Sequence, residues 1–262
     1  MTFLLFGCTA AALPSRRAEA ALLSTDAAAS QSTPLSILQV GDSFMEYSVQ
    51  LLGDYCTGAS VVNRGVHASF AVEWVGGSQS CPSLEGGQKS CNFDDALVIG
   101  APSATYGPKY THAILSVGAN EFLGTGHTLQ VKASEVASRV DRAIKALQRA
   151  AAAANNTYLK IIMPAYPMTA GPTSRCPTPG CIAEELNGAL AAAAANNTGV
   201  EYVDATMFAA GGSMASFAPR EAHKDTIHPN PKGYCLLWTT PQMQQALGCG
   251  QPPKPYDCSN VS

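Results

Sequence analysis

Charged side chains are scarce in this 262-residue chain: only 13% of residues carry one, half the usual share of roughly 25%. With a formal net charge of −3 and no basic cluster, the chain has no electrostatic footprint for nucleic acid. No basic amphipathic stretch marks a membrane-surface helix. Long hydrophobic runs are also missing, and the one from Phe3 to Leu13 is too short to span a bilayer. No cysteines stand in C-x-x-C spacing. His67, His112, His127 and His223 have no partners at metal-ligand spacing, so no metal site is expected.

Export signals are present instead. Met1 to Ala20 reads as a secretory signal, its apolar run followed by the cleavage pattern Ala18-Glu19-Ala20. Residues 21–34 are small and polar, a flexible leader to the folded domain. Losing the signal removes Cys8 and leaves Cys56, Cys81, Cys91, Cys176, Cys181, Cys235, Cys249 and Cys258. An even set in an exported chain points to disulfides. Short loops favour Cys81 with Cys91, Cys176 with Cys181 and Cys249 with Cys258, which leaves Cys56 for Cys235. Three glycosylation sequons, beginning at Asn155, Asn196 and Asn260, agree with a secretory route.

Apolar runs at 35–40, 59–63, 113–117, 158–163 and 200–204 read as strands. Helical spacing follows at 44–55, 131–154, 182–195 and 231–247, whereas 66–109 reads as a long loop pinned by a disulfide. The string Ala-Ala-Ala-Ala-Ala-Asn-Asn-Thr occurs at 150–157 and again at 191–198, each time ending a helix before a strand. Strands alternating with helices imply a single α/β domain over 35–262, its parallel sheet covered on both faces. Ligands in such sheets bind outside the carboxyl ends of the strands.

Four short segments converge on that edge. Gly41-Asp42-Ser43 joins the first strand to a helix, where a serine is exposed and its own N–H faces developing negative charge; an ordinary serine N-cap fits the same residues. Asn63-Arg64-Gly65 follows the second strand, and Gly65 offers a backbone donor or a plain turn. Asn120 follows the third strand with an amide donor. Near the C-terminus, Asp225 stands three residues before His228. That spacing sets their side-chain roots roughly 5–6 Å apart on one helical face, close enough for a carboxylate to orient an imidazole. His67 and Trp74 fall where they would line the rim, and Tyr166 leaves a strand toward the same edge.

In order and spacing these segments resemble the Ser, Gly, Asn and His blocks of the GDSL, or SGNH, hydrolases. Gly41-Asp42-Ser43-Phe44 is similar to the first block, with Phe where the family often has Leu. Asn63-Arg64-Gly65 resembles the second, Gly118-Ala119-Asn120 the third and Asp225-Thr226-Ile227-His228-Pro229-Asn230 the last. Glu121 departs from the Asp usual after the Asn. The resemblance implies a three-layer α/β/α flavodoxin-like SGNH-hydrolase fold with a five-stranded parallel sheet and no cofactor. It also implies a serine esterase with a Ser43-His228-Asp225 triad and an oxyanion hole from Ser43, Gly65 and Asn120; together with the export signal, a secreted monomer is expected. O-acetyl esters of carbohydrates, or of small lipids, are the expected substrates. An exported glycan-binding module on the same fold, without turnover, is the alternative.

Overall fold

A computed structural model describes residues 34–48, 51–81, 89–98, 110–124, 130–167, 173, 175–177, 181–204, 224, 227–249, 256–258 and 261. The expected signal, the leader up to Thr33, Asn260 of the last sequon and Asp225 lie outside the described residues.

The first strand, β1 (Ser36–Gly41), is buried at every position, which requires cover on both faces. It is flanked by β2 (Ser60–Gly65) and β5 (His112–Ser116). The sheet continues through β6 (Lys160–Pro164) to β7 (Val200–Val203). The order β2-β1-β5-β6-β7 is parallel at every pairing. The expected five-stranded parallel sheet is therefore present, and residues 34–262 form one compact unit.

Two helices connect β1 to β2, α1 (Ser43–Glu46) and α2 (Leu51–Tyr55). The segment read as a long loop is more ordered than its weak periodicity suggested. It contains α3 (Ala71–Gly76), a hairpin of β3 (Ser78–Cys81) and β4 (Lys89–Cys91), and α4 (Phe93–Val98). Elements this short give no repeat for a periodicity argument to detect. Trp74, expected at the rim, is instead buried and stacked on Phe93 at 4.9 Å.

After β5 come α5 (Ala119–Leu123) and the long α6 (Ala133–Ala153), whose Val136, Val140, Ile144 and Leu147 are fully buried. The next helix opens with a π-helical turn at Ile182–Asn187 before α7 (Gly188–Ala195). Beyond β7, the single helix expected over 231–247 is two, α8 (Pro231–Trp238) and α9 (Pro241–Leu247). The break lies at Thr240, whose hydroxyl caps the Met243 N–H, and at Pro241, which starts a helix but cannot continue one.

Both copies of the repeated string end a helix, though with different turns: Asn155 has φ +55°, whereas Asn196 stays right-handed at φ −80°. The second asparagine of each is buried and tied to backbone, Asn156 Nδ2 donating to Tyr110 O (2.9 Å) and Asn197 Nδ2 to Ala193 O (2.8 Å).

Four disulfides lie among the described residues. Cys81–Cys91 and Cys176–Cys181 are the expected short loops. The other two are Cys56–Cys249 and Cys235–Cys258, a correction to the expected partners. Because the chain breaks before α9, that helix returns to α2, where Gln244 Nε2 donates to Tyr55 O (3.1 Å). This carries Cys249 to Cys56 and leaves the C-terminal tail to meet α8. No helix among the described residues is long and apolar enough to cross a membrane.

Candidate active site

The site begins at the abrupt end of β1. Gly41 has φ +132°, and a Cβ there would collide with the Ser116 carbonyl on β5. Only glycine fits so close an approach. Asp42 N donates to that carbonyl (2.8 Å), and the chain turns at once into α1 with Asp42 as N-cap. Ser43 is thus the first residue of a helix, buried but open enough to reach a partner from the far end of the chain. That partner is His228, whose Nε2 lies 2.8 Å from Ser43 Oγ.

Asp42 is almost wholly enclosed. Its carboxylate accepts the Phe44 N–H (3.0 Å), the Tyr166 hydroxyl and, at 3.3 Å, the Ser116 hydroxyl. No cation faces it. Burial pushes the group up to about 7 even though these donors favour the anion. Burial likewise holds the Tyr166 hydroxyl well above its ordinary range, with the Asp42 charge adding to it. Tyr166 is therefore a packing and hydrogen-bonding residue beneath Ser43.

A second support joins α1, which carries Ser43, to α8, which follows His228. Tyr234 on α8 donates its hydroxyl to Phe44 O (2.6 Å), and the Phe44 ring packs between Tyr166 (5.2 Å) and Tyr234 (5.6 Å). The first turn of α8 is capped by Asn230, which accepts the Gly233 N–H (3.0 Å). His228, two residues before that cap, is held by the N–H of Lys224 on its carbonyl (2.9 Å) and by the Tyr47 ring edge-on at 4.9 Å. Sequence reading missed Tyr234, because a lone tyrosine in a helix carries no motif.

The loop after β2 supplies the opposite wall. Gly65 packs so tightly against the backbone of α1 that a Cβ would strike Glu46. Its N–H donates to Asn63 Oδ1 (2.8 Å) and is committed within its own turn. Beyond it, Ser69 N closes on Val66 O (3.1 Å), with Ala68 at φ +57° between them. A non-glycine residue at positive φ persists only where its surroundings enforce it. Here Ser69 Oγ donates to Gly41 O (3.3 Å), Trp74 Nε1 to Ser69 Oγ (3.0 Å) and Asn120 Nδ2 to Ser69 O (2.8 Å). Glu121 Oε1 accepts the Ala71 N–H (2.6 Å), and burial raises its carboxyl above the usual range. Glu121 thus braces the start of α3. Among the described residues the Ala68 N–H meets no acceptor.

Ser43, Asn120 and His228 therefore gather at the carboxyl edge of the sheet, with Gly65 close by but its donor engaged. The only group of possible metal ligands among the described residues is Glu73 with Cys81 and Cys91, and those cysteines form a disulfide.

A model of the GDSL-like lipase/acylhydrolase family matches residues 37–236. No curated protein sequence matches the chain. Among solved structures, a carbohydrate acetylesterase from Sinorhizobium meliloti is 17% identical with a TM-score of 0.52, covering 81% of this chain and 96% of that one. A mutant of an acetyl-xylooligosaccharide esterase from Geobacillus is 14% identical with a TM-score of 0.54, covering 82% and 95%. A GDSL-like lipase from Parabacteroides merdae is 13% identical with a TM-score of 0.54, covering 82% and 96%. At such identities the structural likeness speaks for the fold, while the family match runs through every segment of the site just described. The chain belongs to the GDSL-like lipase/acylhydrolase family.

Proposed function

We propose that the protein is an exported serine ester hydrolase working through an acyl-enzyme. The observation that carries this reading is the 2.8 Å contact between Ser43 Oγ and His228 Nε2, made by residues 185 apart in sequence. Ser43 attacks the ester carbonyl while His228 takes its proton and returns it to the leaving alcohol. Water then attacks the acyl-Ser43 ester with His228 again as base, releasing the acid. Asp225 is the residue that orients the imidazole and stabilises its charged form. The oxyanion is held by the Ser43 N–H and a hydrogen of the Asn120 amide. The Ala68 N–H takes the third place in preference to Gly65, whose N–H is engaged by Asn63.

O-acetyl esters of carbohydrates are the proposed substrates, with small lipid esters second. The acetylesterases among the structural neighbours favour this choice, as does the polar character of the base side of the site. Four disulfides among the described residues favour an oxidising destination.

Purified protein is expected to hydrolyse a short-chain aryl ester and to be labelled by a fluorophosphonate. Both are lost in Ser43→Ala, by about 10⁴-fold or more in turnover, with the circular dichroism spectrum unchanged. A wild-type protein that hydrolyses no ester and takes no label would return the binding-module alternative. Undiminished turnover in Ser43→Ala would overturn the nucleophile.

A further inference from the structure

A second imidazole stands beside the base, and the mechanism above does not use it. The ring of His67 leaves the oxyanion loop toward His228, with centroids 6.2 Å apart. Its Nδ1 is paired with the Tyr47 hydroxyl at 2.9 Å. Tyr47 in turn sets its ring edge against His228, and the ammonium of Lys224 lies over it, 3.3 Å from the centroid. A cation at that distance is attracted by the ring's electron density and holds the phenol in place. His67 is thereby fixed through one nitrogen. Its Nε2 has no partner among the described residues and is not enclosed, so it is open to solvent.

The position of this nitrogen decides what it can meet. His228 must hand a proton to the departing alcohol, so groups flanking the free side of its ring flank the alcohol as well. The acyl oxygen belongs to the opposite wall, near Ser69 and Asn120. An imidazole Nε2 either donates or accepts according to tautomer, as a sugar hydroxyl does. An aliphatic alcohol offers it nothing. Resting on the serine-esterase reading, we propose that Tyr47 and His67 form a leaving-group subsite for a sugar alcohol, with His67 Nε2 hydrogen-bonded to a ring hydroxyl beside the ester. In this arrangement His67 is a specificity-determining residue and Tyr47 positions it.

The test compares two acetyl esters that differ only in the alcohol, a mono-O-acetylated methyl glycoside and butyl acetate, on the full chain with its disulfides intact. Wild type is expected to have the higher kcat/KM for the glycoside. His67→Ala should lower the glycoside-to-butyl ratio about five- to tenfold, chiefly through KM, the size expected for one hydrogen bond. His67→Gln should recover part of it, and Tyr47→Phe should lower the ratio by releasing His67. Should His67→Ala fail to fold, His67→Gln and Tyr47→Phe decide. A ratio unmoved by these variants overturns the subsite, as does a wild type with no preference for the glycoside. Absence of turnover on both esters, by contrast, overturns the esterase reading itself.

Discussion

The two halves of the proposed relay are built in different ways. Ser43 rises from a buried frame in which nearly every atom is fixed. Gly41 is wedged under the Ser116 carbonyl, Asp42 is held by three donors, and Phe44 is clamped between two tyrosines. His228 is half-buried, ahead of the α8 cap, with an aromatic edge on one side and the serine on the other. A nucleophile gains from a rigid seat because its attack angle must be right at each turnover. A base must pass a proton between two partners and needs room to tilt. The rigid half draws its order from the strand neighbours and tyrosines packed around it, whereas the freer half depends on where α8 is anchored.

Cutting the covalent anchor of the base side should have the largest effect on stability. The Cys56–Cys249 bridge spans 193 residues and Cys176–Cys181 only 5. Chain-entropy reasoning assigns roughly 5 kcal/mol to the first and roughly 2 kcal/mol to the second. Urea unfolding of the paired variants Cys56→Ala/Cys249→Ala and Cys176→Ala/Cys181→Ala should rank them in that order. An inverted rank would show that packing, more than the Cys56–Cys249 bridge, holds the end of α9 against α2.

A smaller effect is expected at the junction of the two halves. Tyr234→Phe removes the donor to the buried Phe44 carbonyl, at a cost of about 1–3 kcal/mol for the unsatisfied group. Because that contact fixes α8 on α1, kcat should fall several-fold while fluorophosphonate labelling persists at a reduced rate. Loss of stability with unaltered kcat would separate the anchor from the relay.

The smallest effect lies within the rigid half and concerns pH. Asp42 is raised from 3.8 to about 7 on folding, so between these values the folded state binds the proton more tightly than the unfolded chain does. Stability conferred by the protonated group is full below the unfolded value and declines as pH rises toward 7. Asp42→Asn keeps an oxygen for the Phe44 N–H and removes this titration. Its melting temperature should therefore vary less than wild type's between pH 4 and pH 8. Equal slopes would mean that Asp42 stays ionised and is sustained by its donors.

Much of the fold was legible because a parallel α/β sheet writes itself as alternating apolar strands and helical repeats. The α6 stripe of Val136, Val140 and Ile144 is of this kind. The site was legible for a related reason. Ser43, Asn120 and His228 follow strand ends or helix starts, where topology delivers them to one edge. Gly65 was harder to read, since a glycine kept for close packing looks the same in sequence as one kept for its N–H. The donor-bearing turn at Ala68 breaks the habit that positive φ belongs to glycine, so no residue type announced it.

Sequence alone determined the succession of strands and helices along the chain and the residue types able to do the chemistry, because each depends on neighbours within a few residues. Tertiary structure decided which cysteines pair, which N–H groups are already engaged, and that Tyr234, Tyr47 and His67 gather around the relay. Those outcomes depend on contacts between segments up to 193 residues apart. Local pattern carries no record of such contacts, since they are fixed only when the core closes.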